Sequence, residues 1–418
     1  MSDSDRPFAP EQQSLPGVMA PEQQRSPVPR LPRLVHDLID DVSSVQRPGE
    51  ARERLAQWLR SRHAVGGFQP ETVYARYAFE LTRVRHELLP SNVERFVPPE
   101  LRLRLGVEPR PRRKDLAEDP LALMRDALID PQNADEKRRQ FEIQRDLALA
   151  YLALWLVTDA ELTGKLDRAR WDQERKTERD RTLFLIHLRK RGVITGDVRT
   201  VRLRVHLDAE PPHRCMRIDL PGEREPFYQG KAGVAQKRKT RSLDVVRLGL
   251  PDLPTVLLMP RRKGVLQTIA KMLLQRLDSP LNVPDRRGVR FIYRNERELE
   301  AGSDFIGRKI CLGLAHKSHL ATRDLPVNPY AAPNLRIVKD SAAFYDRTME
   351  VQHVLGNQHV DILYSLGLEQ FLLYHGRQYT APDGLFMELF PPTIYGVDWE
   401  HPQVQLRVYE HIRASLAP

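Results

Sequence analysis

A basic cluster and two isolated carboxylates mark the parts of this sequence that could act on phosphates. The cluster Arg261–Lys263 follows the apolar run 255–258, and Asp285 precedes a second apolar run at 289–292. Glu350 lies in a third apolar run, between Met349 and Val351. Cationic side chains hold phosphate oxygens, and a carboxylate at a strand end can hold Mg²⁺ against them. This order of residues indicates a site that transfers a nucleotidyl or pyrophosphoryl group.

In-line transfer from a triphosphate needs neutralisation of the phosphate charge and a bridging metal, with little covalent chemistry by the protein. We therefore predict that Asp285 and Glu350 bind Mg²⁺ and are catalytic. The predicted phosphate ligands are basic residues, among which arginine can bind in a bidentate manner. They are Arg261, Lys263, Lys271 and Arg290.

Each of these residues also has a structural interpretation. Asp285 follows Pro284 and could cap a turn, and Glu350 could belong to the polar face of a half-buried strand. The cluster 261–263 could be a solvated strand end. Glu388, inside the apolar run 385–390, is better interpreted as a paired structural carboxylate than as a catalytic one. The sequence leaves these alternatives open.

Overall composition favours a polyanionic partner. The chain has 418 residues, with 66 Lys+Arg against 56 Asp+Glu, so its formal net charge is +10. Such a charge suits nucleotide phosphates or a nucleic acid bound through a basic surface. With 2 cysteines, neither a disulfide scaffold nor a cysteine-rich metal site is predicted.

Targeting signals are not evident in the sequence. The first residues lack the basic and apolar regions of a secretory signal, and the longest apolar run, 147–157, is too short to span a bilayer. We expect a cytoplasmic protein without a membrane partner, and the oligomeric state is left open.

Three regions follow from composition and periodicity. Residues 1–33 are rich in proline and are predicted to be a disordered tail. Residues 34–191 carry helical stripes, for example Tyr77, Leu81 and Val84. From 192 to 418 the pattern becomes an α/β domain with a mixed sheet, so the fold class is α+β.

Within the last region we predict individual elements. Strictly alternating runs predict two paired strands at 201–207 and 215–220, and Lys231–Arg241 is interpreted as a mobile basic loop. Further strands are predicted near 255–260, 289–294, 335–338, 349–354 and 385–390. Helices are predicted at 264–277, 296–317, 357–374 and 402–416.

Residues 255–375 resemble the RelA/SpoT-like synthetase domain, a nucleotidyltransferase-like pyrophosphokinase. The resemblance rests on three short motifs: the basic strand end 256–263 with its following helix, the Asp-x-x-Gly-Val-Arg strand 285–290, and the Glu-Val-Gln strand 350–352. It implies Mg²⁺-dependent transfer of pyrophosphate from ATP to a nucleotide or an RNA.

The resemblance also implies roles for two further residues. Lys339, in the segment 336–340, corresponds to a Lys-Asp element near the substrate phosphates. The family's Gly-Tyr-x-x-(Leu/Ile)-His segment, whose tyrosine stacks the acceptor base, is not found. Tyr345 is the only aromatic hydroxyl between Asp340 and Glu350, and it is the candidate for base stacking. The alternative function is a non-catalytic nucleic-acid or partner-binding protein with a nucleotidyltransferase-like fold.

Overall fold

The structure, a computed structural model, describes residues 30–62, 68–107, 118–156, 173–230, 238–283, 285–310, 337–344, 347–365 and 370–416. The first part of the chain is helical, and the second part alternates strands and helices. The helices that precede the sheet are α1 (Arg30–Arg33), α2 (His36–Ser43), α3 (Pro48–Arg62), α4 (Pro70–Arg83), a π-helical turn (Val84–Leu88), α5 (Leu89–Phe96), α6 (Pro99–Leu105), α7 (Pro120–Ala127), α8 (Ala134–Leu154) and α9 (Gln173–Lys190).

The remaining elements build a sheet and the helices around it. The strands are β1 (Arg199–Asp208), β2 (Cys215–Asp219), β3 (Tyr228–Gln229), β4 (Arg238–Leu250), β5 (Leu253–Arg262), β6 (Arg287–Tyr293), β7 (Val338–Phe344) and β8 (Arg347–Leu355). The helices are α10 (Val265–Leu274), α11 (Glu296–Ile310), α12 (Gly356–Tyr364), α13 (Phe371–Tyr379), α14 (Leu385–Leu389), α15 (Pro392–Tyr395) and α16 (Pro402–Leu416).

The predicted helical stripe, which runs from α4 into the π-helical turn, forms part of a hydrophobic core. Tyr77, Leu81 and Val84 are fully buried, as expected for side chains that recur at spacings of three and four. The Tyr77 hydroxyl donates to the carbonyl of Leu147 in α8 at 3.0 Å. The helical character predicted from residue 34 onward is thus confirmed for the described residues.

Helices from both ends of the chain share this core. Its buried residues come from α1 to α8 and also from α10, α13, α14 and α16. The buried Arg145 of α8 donates to the Leu389 carbonyl at 3.2 Å and to the Tyr395 hydroxyl at 3.1 Å. The predicted boundary at residue 192 therefore marks the change from helix to strand, while the last helices return to the helical half.

The end of the predicted tail is ordered. Residues 30–33 form α1, where Leu31 is fully buried. Arg30 donates through Nε to Glu388 at 2.8 Å and through Nη2 to the Leu273 carbonyl. The prediction of disorder is wrong for these residues because α1 packs on distant helices, and residues 1–29 lie outside the described part. The pairing of Glu388 is the structural role predicted for it.

The eight strands form one mixed sheet in the order β3-β2-β1-β4-β5-β6-β8-β7. Neighbours are antiparallel except β6 and β8, which are parallel. The predicted strand pair β1/β2 is confirmed. The strand predicted at 335–338 begins at Val338 and continues to Phe344, after residues that lie outside the described part.

Two predictions of local structure are wrong. Residues 385–390 were expected to be a strand, but Leu385–Leu389 is a helix. An apolar run of this length fits a buried strand or a buried helix equally well. The predicted loop Lys231–Arg241 overlaps β4, which begins at Arg238 and pairs with β1; residues 231–237 lie outside the described part.

The sheet has two differently covered faces. One face packs against α9 and α11 through a core that includes Phe184, Phe291 and Ile306. The other face carries Leu257, Ile292 and Val354, which pack with residues of β1, β2 and α12. Among the described helices, none is long and apolar enough to cross a membrane.

Candidate active site

The candidate site lies on the second face of the sheet, where β5, β6 and β8 lie side by side. Arg261 is paired in register with Gly288, and Gly288 with Glu350, so the two charged residues flank a glycine. A Cβ at Gly288 would lie 2.8 Å from the Glu350 carbonyl oxygen. Glycine is therefore needed here for the close approach of β8, and its missing side chain lets Arg261 reach across to Glu350.

Glu350 is surrounded by donors. Its Oε2 accepts from Arg261 Nη1 at 2.8 Å and from Gln352 Nε2 at 2.7 Å. Its Oε1 lies 3.6 Å from Lys339 Nζ. Both carboxylate oxygens thus have positively charged or polar partners, and the side chain is largely buried.

Asp285 lies just before β6 and is the second carboxylate of the site. Its Oδ2 is 3.2 Å from Lys263 Nζ and 3.4 Å from Lys271 Nζ, whereas its buried Oδ1 has no hydrogen-bond partner among the described residues. Burial alone would raise the pKa of Asp285, but the two ammonium groups outweigh burial and lower it. Asp285 is therefore ionised at neutral pH, with one oxygen available to a further ligand.

Arg290 is a buried cation whose hydrogen-bond acceptors among the described residues are neutral. Its Nε and Nη2 both donate to Gln352 Oε1, at 3.0 and 2.8 Å, and Gln352 in turn donates to Glu350. Burial and the nearby charge of Arg261 lower the pKa of Arg290 to about 9. A buried guanidinium with neutral hydrogen-bond acceptors favours the approach of an anion.

His359 of α12 completes this network. Arg290 Nη1 lies 3.0 Å from His359 Nδ1, and because arginine can only donate, Nδ1 must accept and the proton resides on Nε2. Nε2 is buried and has no partner among the described residues. Burial and the charges of Arg290 and Arg261 keep the pKa of His359 well below its ordinary value.

The two carboxylates belong to one site. Lys263, which pairs with Asp285, also lies within electrostatic range of Glu350, and Lys339, which lies beside Glu350, also acts on Asp285. Burial lowers the pKa of Lys263, an effect that Asp285 only partly offsets. Among the described residues, five cations face two carboxylates at this site, so positive charge is in excess there.

The same strands carry a separate network on the first face. The Tyr293 hydroxyl is 2.9 Å from His353 Nδ1, and His353 Nε2 is 3.2 Å from Asp340 Oδ2. All three side chains are buried. Lys339 and Asp340, predicted together as one element near phosphates, thus lie on opposite faces because neighbouring strand residues alternate.

Most of the predicted site residues lie together. Arg261, Lys263, Lys271, Arg290 and Lys339 all surround Asp285 and Glu350, while Tyr345 lies outside the described residues. Two histidines near these cations were not predicted as site residues: His359, which contacts Arg290, and His375 of α13, which lies within electrostatic range of Arg261, Lys263 and Lys271. No local pattern marks them, because helices beyond β8 bring them to the site.

The donor atoms fit a magnesium ion in part. No group of three or more metal-ligating side chains occurs in the residues that the structure describes. Magnesium, however, is commonly bound through one or two carboxylates together with substrate phosphates. The unpartnered Oδ1 of Asp285 offers one such ligand, and Glu350 would offer a second if Arg261 turned away.

Comparisons of this chain with protein-family models, with curated proteins and with solved structures gave no match.

Proposed function

We propose that this protein transfers pyrophosphate from ATP to a nucleotide or RNA acceptor in a Mg²⁺-dependent reaction, with a nucleotidyltransferase-like fold. The observation that carries the proposal is the excess of five cations around two carboxylates, with a buried oxygen of Asp285 that has no partner among the described residues. Such an arrangement suits a polyphosphate that brings its own metal ion.

Binding of the triphosphate requires an exchange of ion-pair partners. Arg261 and Lys339 lie beside Glu350, while Lys263 and Lys271 lie beside Asp285. Phosphate oxygens would attract these cations, Arg261 in a bidentate manner, and would release both carboxylates. Magnesium, when bound by Asp285 and Glu350, would neutralise charge on the phosphate oxygens.

Glu350 would then take up a proton. The hydroxyl oxygen of the acceptor attacks the β-phosphorus of ATP as its proton passes to Glu350. The bond from this phosphorus to the oxygen shared with the α-phosphate breaks, and AMP leaves. Arg290 stays beside Glu350 through Gln352, which fixes the position of the carboxylate, and its charge stabilises the migrating phosphates.

The test is transfer of label from ATP labelled at its γ-phosphate. The protein is incubated with Mg²⁺ and either GDP, GTP or total tRNA, and we expect label on one class of acceptor. No transfer to any of them, together with no Mg²⁺-dependent ATP binding, would contradict the proposal.

A second function is supported by the pairing at Glu350. Both of its oxygens already have partners, so Glu350 is less available to a metal ion. The excess of cations around it would attract an anion even without metal. A non-catalytic protein of this kind would bind long polyanions with a strong dependence on salt and without turnover of ATP.

A further inference from the structure

Helix α13 presents a row of rings beside the cation cluster. The His375 ring centroid lies 4.3 Å from that of Phe371 and 5.3 Å from that of Tyr374. Phe371 and Tyr374 are half-buried, whereas Tyr379, at 5.7 Å from His375, is fully buried in the helical core. The accessible rings are therefore those of Phe371 and Tyr374.

His375 contacts these rings and also lies within electrostatic range of Arg261, Lys263 and Lys271. It is 5% exposed, and its Nδ1 has no hydrogen-bond partner among the described residues. Burial, with a further contribution from Lys263, lowers the pKa of His375 to about 3. The imidazole is consequently neutral at neutral pH and can act as both donor and acceptor.

These three kinds of group correspond to the three parts of a nucleotide. Cations bind phosphates, a neutral imidazole suits sugar hydroxyls, and aromatic rings offer a surface on which any base can stack. We propose that α13 holds the nucleoside part of the donor triphosphate, with His375 bonded to the ribose and the base packed on Phe371 and Tyr374. This inference rests on the proposed function, which supplies the triphosphate.

The test compares ATP with inorganic tripolyphosphate, which lacks the nucleoside. Isothermal titration of the full chain in Mg²⁺ gives the affinity for each. The wild type should bind ATP about fivefold or more tightly than tripolyphosphate, because stacking of one base contributes at least about that factor. Phe371→Leu and Tyr374→Leu should remove most of this preference and leave the affinity for tripolyphosphate unchanged.

Two control variants test whether the aromatic rings themselves are needed. Tyr374→Phe keeps the ring and should keep the preference for ATP. Tyr409→Leu removes a half-buried tyrosine from α16 and should change neither affinity. A loss that affects ATP and tripolyphosphate equally in the α13 variants would overturn the inference.

The role of His375 is measured with ATP that lacks both ribose hydroxyls. The wild type should prefer ATP over 2′,3′-dideoxy-ATP about fivefold or more, and His375→Ala should bind the two equally. If the wild type binds ATP no better than tripolyphosphate, this inference is overturned, whereas the proposed phosphate site is still supported. A wild type that binds neither contradicts the proposed function as well.

Discussion

Strands β6 and β8 carry one polar network on each face of the sheet, and the two networks differ in charge balance. On the first face, Tyr293 and Asp340 each face one ring nitrogen of His353. On the second face, Arg261 and Arg290 gather around Glu350 with further lysines, and positive charge is in excess. Excess buried charge costs stability unless a ligand compensates it. We therefore propose that the first network contributes to stability and that the second one binds the triphosphate.

Loss of a site carboxylate should have the largest effect. We expect Asp285→Asn and Glu350→Gln each to lower the rate of pyrophosphate transfer by about 100-fold or more, since each removes a charge that the metal and acceptor need. Initial rates with labelled ATP measure this. Asp244→Asn, which alters an exposed carboxylate paired with Arg202, should leave the rate unchanged.

If both site variants retain activity, the assignment of catalysis to this face is wrong. If both instead fail to fold, the second network is structural and the contrast between the faces disappears.

A change on the first face should mainly reduce stability. Gly302 of α11 lies against Tyr293, and a Cβ there would come within 2.3 Å of the ring. We expect Gly302→Ala to lower the free energy of unfolding by about 1–3 kcal/mol through overpacking, as measured by urea denaturation. ATP affinity per folded molecule should be retained, and its loss would show that the two faces are coupled.

Acid should destabilise the protein through its buried histidines. Burial lowers the pKa values of His353, His359 and His375, so below about pH 6.5 the unfolded chain binds more protons than the folded one. The free energy of unfolding should fall with decreasing pH, by up to about 1.4 kcal/mol per pH unit for each histidine. Urea denaturation between pH 7.5 and 5.5 measures the slope, which His375→Asn should reduce. A slope of zero would contradict the buried neutral state.

Removal of one site cation should have the smallest effect on stability. Lys271→Gln removes one of five positive charges that repel one another, so the free energy of unfolding should change by less than about 1 kcal/mol. The affinity for ATP should nevertheless fall about fivefold. Lys309→Gln, on the exposed side of α11, is the matched control and should alter neither. A clear loss of stability without a change in affinity would assign Lys271 to structure.

Local sequence patterns predicted most of the strands, but they did not predict all the residues that surround the site. Alternation at 201–207 predicted β1 correctly because one face of that strand is buried. The run 385–390 was misassigned because its helical state depends on packing with distant α1 and α10. Arg261, Lys263 and Asp285 could be predicted because they lie at or near the ends of apolar strands, whereas His359 and His375 reach the site only through tertiary packing.

The most direct test of the central claim compares the same substitution on the two faces. Asp285→Asn and Asp340→Asn each replace one carboxylate by an amide. Thermal unfolding midpoints are measured without ligand, with ATP, and with ATP plus Mg²⁺. We expect Asp340→Asn to unfold at a lower temperature while keeping the full Mg²⁺-dependent increase, and Asp285→Asn to lose that increase. A full Mg²⁺-dependent increase in Asp285→Asn, or its loss in folded Asp340→Asn, would contradict the division of roles between the faces.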